Sequence, residues 1–186
     1  GGPAGVATAE TIRSTKGSDA EITLISNEPV YSRMVLPYYL AKDIPEEHVL
    51  TGTTSYFEEH GIKSVTGQVE KIDSPSKSVT LKDGSTLAFD NLCIATGSSP
   101  QRPPIDGIDG EGVYTFWTLE DAQKVAATVK GTPRAVLIGA GFIGFIVLNA
   151  MSKLGWELSV VEAESQILPR MLDVTGASAV NGWLTS

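Results

Sequence analysis

Cysteine is almost absent from this chain of 186 residues. Its one cysteine, Cys93, excludes an internal disulfide framework and makes a reducing, cytoplasmic compartment the expectation. The two histidines, His48 and His60, show no metal-ligand spacing with each other or with Cys93. Basic residues are scarce: 14 Lys and Arg against 22 Asp and Glu give a net charge of -8, which argues against binding nucleic acid or an anionic membrane surface. Long apolar runs are lacking too. Residues 135 to 151 come nearest, but Gly139, Gly141, Gly144 and Asn149 interrupt them, so neither a signal peptide nor membrane insertion is expected. With 41% hydrophobic residues the chain can still build an ordinary core, as one domain or two small ones.

What is present is organised around Ala135-Val-Leu-Ile-Gly-Ala-Gly-Phe-Ile-Gly144. An apolar strand runs into G-x-G-x-x-G and then into a helix. A second strand, Leu158 to Val161, ends at Glu162, 23 residues after Gly139. This is the spacing of a dinucleotide-binding turn. Gly139 permits the tight turn, Gly141 lets a pyrophosphate approach the backbone, and Gly144 lets helix and strand pack closely. The phosphates belong at the helix N-terminus, where free N–H groups and the helix dipole favour negative charge. Glu162 suits a ribose 2′-hydroxyl and repels a 2′-phosphate. No Arg follows closely, so NAD(H) is favoured over NADP(H).

A second, partial version of the pattern opens the chain. Gly2 and Gly5 match the last two glycines of the same motif, whose first glycine and preceding strand would lie before residue 1, so a longer protein is the expectation. Pro3 suits a first helical turn. A small-residue helix to about Lys16 follows, then a turn and a strand over Glu21 to Ile25. Glu28 is the one carboxylate where a ribose-binding acid belongs. An ordinary Gly-rich tail before a surface helix explains these residues taken alone; two nucleotide sites explain them together with the second turn.

Between the two patterns lie several simpler segments. Pro29 to Ala41 is apolar and aromatic, a helix-plus-loop wall in which core packing accounts equally well for Tyr31, Tyr38 and Tyr39. Arg33 is the better site candidate there, because an anionic ligand would compensate its charge. Ser55 to His60 reads as a short helix, Ile62 to Thr66 as a strand, and Val69 to Phe89 as an antiparallel segment turning at Asp83-Gly84. Leu92 to Ala95 reads as a buried strand, with Cys93 a small core residue rather than a nucleophile. Ser98 to Gly112, rich in Pro and Gly, reads as an interdomain connection. Leu119 to Lys130 is an amphipathic helix with Thr118 as N-cap and Asp121 at the third position, ended by Gly131-Thr132-Pro133.

Gly2-Pro-Ala-Gly5, Tyr31-Ser-Arg33, Leu36-Pro-Tyr-Tyr39, Cys93-Ile-Ala-Thr-Gly97, Thr118-Leu-Glu-Asp-Ala122, Gly139 to Gly144 and Val160 to Leu172 occur in an order that resembles one family. It is the FAD- and NAD(P)-dependent pyridine nucleotide-disulfide oxidoreductase superfamily, in its branch of NADH-rubredoxin reductases, ferredoxin reductases and nitrite reductase large subunits. The resemblance implies an α/β fold: two Rossmann-like, doubly wound, three-layer nucleotide-binding domains with a small antiparallel β-meander. Residues 1–104 would form the FAD-binding domain and 105–186 the NAD(H)-binding domain, both incomplete. Gly2, Pro3, Ala4, Gly5 and Glu28 would hold the ADP part of FAD, with Arg33, Val69, Ala95, Thr96 and Gly97 along the rest. Gly139, Gly141, Phe142, Ile143, Gly144 and Glu162 would hold NADH. The implied partner is a small-molecule or protein electron acceptor, and the full-length protein could be a homodimer.

The departures from that family are specific. No C-x4-C pair is present, and Arg33-Met34-Val35 stands where the thiol-dependent relatives, coenzyme A-disulfide reductases and NADH oxidases, carry a cysteine. Ile146 replaces a common Glu, Leu148 a common small residue and Trp117 a common Arg. The expected function is an FAD-dependent oxidoreductase passing hydride from NADH to FAD and on to an acceptor without a redox cysteine pair. The alternative is a nucleotide-binding module with little or no turnover. A thiol-dependent oxidase or coenzyme A-disulfide reductase ranks third.

Overall fold

The computed structural model describes residues 1–128 and 133–185. In chain order the elements are α1 (Pro3–Lys16), β1 (Ile22–Ser26), β2 (Val30–Tyr31), α2 (Leu36–Leu40), β3 (Leu50–Gly52), α3 (Thr54–Glu59), β4 (Ile62–Thr66), β5 (Val69–Asp73), β6 (Ser78–Leu81) and β7 (Thr86–Ala88). Then come α4 (Leu119–Ala127), β8 (Arg134–Ile138), α5 (Phe142–Lys153), β9 (Glu157–Val161) and α6 (Val174–Leu184). They divide into two units. One comprises residues 1–32 and 46–101, the other residues 33–45 and 102–186. The result is a mixed α/β fold with parallel and antiparallel sheets.

In the first unit β1 and β4 pair in parallel, from Ile22↔Ile62 to Ser26↔Thr66. Helix α1 starts with Pro3 in its first turn, where the missing N–H costs nothing, and ends at Gly17, whose φ of +58 favours glycine. Ala9, Ile22, Leu24, Val30, Phe57 and Ile62 form the core beneath it. Phe57 is 2% exposed, and its burial contributes on the order of 2–3 kcal/mol. Strands β5, β6 and β7 form the expected meander, with Val79 and Leu81 turned inward and Gly84 at φ +87 in the turn.

The stretch Leu92 to Ala95 differs from expectation. It forms no strand, Leu92, Cys93 and Ile94 are exposed, and Cys93 is not a core residue. Apolar side chains alone do not make a strand, because backbone donors and acceptors need a neighbouring ladder. Among the described residues none pairs with this stretch, as β1 has β4 as its sheet neighbour.

In the second unit β8, α5 and β9 form a βαβ element. The two strands pair in parallel from Arg134↔Glu157 to Ile138↔Val161. Leu40, Val125, Val147, Ala150 and Met151 form the core, with Leu137, Trp156 and Leu158 packed against it. The helix expected from Leu119 to Lys130 runs from Leu119 to Ala127. The residues expected to end it, except Pro133, lie outside the described residues. Its capping box forms as expected: Thr118 accepts from the Asp121 N–H while Asp121 accepts from the Thr118 N–H. Helix α6 has Asp173 as N-cap, accepting from the Gly176 N–H at 2.8 Å. Among the described residues no helix is long and apolar enough to cross a membrane.

Candidate functional site

In the second unit, strand β8 delivers the chain into the glycine turn. Gly139 has φ +97, and its N–H donates to the Val161 carbonyl at 2.7 Å, tying the turn to the end of β9. Gly141 is the N-cap of α5 with extended backbone (φ -82, ψ 178), and no side chain caps the helix. A Cβ placed on Gly141 would meet no protein atom within 4 Å, so its backbone faces open space. A Cβ on Gly144 would lie 2.6 Å from the Gly139 carbonyl oxygen and 3.2 Å from Leu137 Cδ2. The three glycines therefore have three separate reasons: a left-handed backbone, an open approach and a close helix–strand contact.

Ala140, between the first two glycines, is fully buried and held from both sides. Its N–H donates to Glu162 Oε2 at 2.7 Å, and its carbonyl accepts from the Leu168 N–H at 2.9 Å. Glu162 also accepts from the Glu164 N–H at 3.0 Å. The Glu164 and Ala140 amides hold its carboxyl below the usual carboxylate range, against a smaller opposing effect of desolvation. Glu162 is thus an ionised carboxylate locked beside the turn. Phe142 and Ile143, at the start of α5, are 52% and 54% exposed. Uncapped helix N–H groups, open space at Gly141 and a fixed carboxylate are the chemistry that a diphosphate linked to a ribose needs.

The first unit repeats part of this arrangement. Gly2 is the N-cap of α1 (φ -79, ψ 176), again without a side-chain cap, and a Cβ there would meet nothing within 4 Å. Pro3 and Ala4 form the first turn. A Cβ on Gly5 would sit 3.6 Å from both the Ala95 Cβ and Leu24 Cδ1, so the helix start lies against the segment Ala95-Thr96-Gly97. Gly97 has φ +69. Glu28 follows β1, and its Oε2 accepts from the Tyr31 hydroxyl at 2.6 Å. Val69 opens β5 opposite Leu81 and is 39% exposed. These residues offer the same chemistry, uncapped N–H groups and a held acid, as the second turn.

Arg33 belongs to the second unit. Its guanidinium lies over the Trp117 ring, 5.2 Å from the centroid, and donates to the Trp117 carbonyl at 3.4 Å. Ile146 lines a groove of about 250 Å³ with Pro37, Tyr38, Phe145 and Asn149, and the Lys153–Asp43 ion pair, at 2.8 Å, also borders it. Three features are not legible in the sequence. Tyr31 as a partner of Glu28 has only its three-residue spacing as a clue. The Leu168 amide and the Ala140 clamp have no sequence signal at all.

A fold of this kind with a glycine turn of this geometry, repeated in part in the first unit, defines a class. Residues 1–184 match the family model described as pyridine nucleotide-disulphide oxidoreductase, and the chain belongs to that family. The chain is 32% identical to the assimilatory nitrate reductase electron transfer subunit of Bacillus subtilis over 179 residues, 95% of this chain and 23% of that protein. It is 32% identical to rhodocoxin reductase of Rhodococcus erythropolis over 189 residues, 100% of this chain and 43% of that protein. A solved NAD-dependent persulfide reductase from A. fulgidus superposes with a TM-score of 0.92 at 34% identity, covering 100% of this chain and 37% of its own. The chain therefore spans less than half the length of these relatives.

Proposed function

We propose that this chain carries an FAD-binding domain (residues 1–104) and an NAD(H)-binding domain (105–186), both Rossmann-like, of an FAD-dependent oxidoreductase. Bound there, NADH and FAD would supply hydride and electron-transfer chemistry toward a small-molecule or protein acceptor. The observation that carries this reading is the clamped turn at Gly139–Gly144 with the ionised Glu162 beside it. The residues divide the work. The α5 N–H groups bind the NADH pyrophosphate, Gly141 leaves it room, and Glu162 accepts from the adenosine ribose and repels a 2′-phosphate. Phe142 and Ile143 border the path toward the nicotinamide. Gly2, Pro3, Ala4 and Gly5 do the equivalent for the FAD pyrophosphate, Glu28 takes its ribose, and Arg33, Val69, Ala95, Thr96 and Gly97 contact the remainder.

No side chain is required as a nucleophile. Met34 is 73% exposed at the place of the thiol in thiol-dependent relatives, and Cys93 is the sole sulfhydryl. A second reading, a nucleotide-binding module without turnover, is favoured by Ile146, which presents an apolar side chain to the groove where the resemblance expects an acid. Anaerobic addition of NADH to the FAD-loaded protein separates the two. Bleaching of the visible flavin absorbance supports the oxidoreductase. NADH binding with no bleaching supports the module, and absence of binding removes both.

A further inference from the structure

We propose that Tyr31 is a positioning residue of the first nucleotide site: its phenol holds the Glu28 carboxylate in the orientation in which it accepts from the hydroxyls of an adenosine ribose. The inference rests on Glu28 being the ribose-binding acid of that site.

Glu28 sits in a short turn between β1 and β2, where a three-torsion side chain is ordinarily free to sample many rotamers. Here it is restrained at both ends. Ser26 Oγ donates to the Glu28 carbonyl at 2.7 Å and lies 3.4 Å from the Glu28 N–H, which fixes the backbone. The Tyr31 hydroxyl donates to Glu28 Oε2 at 2.6 Å, the length of a charge-assisted O–H···O⁻ bond. The ring that carries this hydroxyl is itself anchored. Tyr31 is 5% exposed, pairs with Leu50 across the β2–β3 ladder, and is followed by Ser32, whose N–H donates to the Val49 carbonyl at 3.1 Å.

The turn also lies close to the glycine segment. A Cβ built on Gly1 would overlap Ser26 Oγ, so the residue before the α1 N-cap touches the same brace that holds Glu28. Backbone donors for a phosphate and an acceptor for a ribose are thereby set at a fixed separation. A carboxylate has about four acceptor positions, of which the phenol takes one. A pre-ordered carboxylate loses less rotamer freedom on binding than a mobile one, which is a gain in affinity without a new ligand contact.

The test measures dissociation constants for ADP and for its 2′,3′-dideoxy analogue by calorimetry in a Glu162→Ala background, which removes ribose discrimination at the second turn, on the otherwise wild-type chain, Tyr31→Phe, Glu28→Ala and the double variant. The otherwise wild-type chain is expected to prefer ADP. Tyr31→Phe keeps the ring and should weaken ADP by about two- to tenfold while leaving the dideoxy analogue almost unchanged, so the preference shrinks. In the Glu28→Ala background the same change should have no further effect on ADP. Equal weakening of both ligands by Tyr31→Phe, or an equal effect with and without Glu28, would overturn the proposal and leave Tyr31 a packing residue. An otherwise wild-type chain that binds ADP without preferring it over the dideoxy analogue, or does not bind it, would instead remove Glu28 as the ribose acid.

Discussion

Gly141 and Gly144 are three residues apart in one turn and should fail in opposite ways when each is changed to Ala. At Gly144 the added methyl would lie 2.6 Å from the Gly139 carbonyl oxygen, well inside contact distance, and 3.2 Å from Leu137 Cδ2. Backbone cannot swing aside as a side-chain tip can, so β8 and α5 must separate by several tenths of an ångström. Overpacking of this kind costs about 1–3 kcal/mol. For a chain of this size that lowers the melting temperature by about 2–12 °C. At Gly141 the backbone is extended and the methyl enters open space. Only the difference between Gly and Ala at an N-cap remains, about 1 kcal/mol or less. On the proposed function that open space is where the pyrophosphate approaches, and loss of one charge-assisted hydrogen bond there should weaken NADH by about tenfold to a hundredfold. Thermal melts and NADH calorimetry on both variants read the two effects separately. Wild-type NADH affinity in Gly141→Ala, or equal destabilisation by the two changes, would refute the assignment.

Acid should loosen the same turn. The Glu162 carboxyl is held low by the Glu164 and Ala140 amides, so its contribution is complete above the ordinary carboxyl range and is lost as pH falls through the lowered value. The melting-temperature gap between wild type and Glu162→Gln should be present at neutral pH and close in acid; a gap independent of pH would count against the clamp. Thr118→Ala removes one half of the α4 capping box and should cost about 1 kcal/mol in urea unfolding, whereas Thr118→Ser should restore most of it. Arg13 joins the end of α1 to the α3–β4 turn, donating to the carbonyls of His60 at 3.0 Å, Gly17 and Gly61. Arg13→Ala should destabilise the first unit by about 1–2 kcal/mol in the same assay, with NADH affinity unchanged.

The parts of this molecule that sequence reveals are those in which chemistry fixes the spacing. The Gly139 turn with Glu162, the Thr118–Asp121 cap, the meander around Gly84 and the strand Ile62–Thr66 all form where expected. Each is decided within one short segment or one βαβ element. The errors lie where tertiary partners decide. Leu92 to Ala95 has strand-like side chains, yet its structure depends on a ladder that its own residues cannot supply. Helix α6 is hard to read because Gly176 and Gly182 obscure its period, although Asp173 marks its start. Leu168 takes φ +49 and holds the Ala140 carbonyl, a conformation that nothing about a leucine announces. The charge of Arg33 stands out in an apolar stretch, while its stacking on Trp117, 84 residues away, is visible only in the fold.

On the proposed function, one chain holds two different nucleotides on two glycine turns. Calorimetric titration of NAD⁺ into protein saturated with FAD, and of FAD into protein saturated with NAD⁺, tests this most directly. Two sites predict that each ligand binds with nearly the same affinity whether or not the other is present, and that Gly141→Ala weakens NAD⁺ alone. Mutual exclusion at a single site would contradict the account.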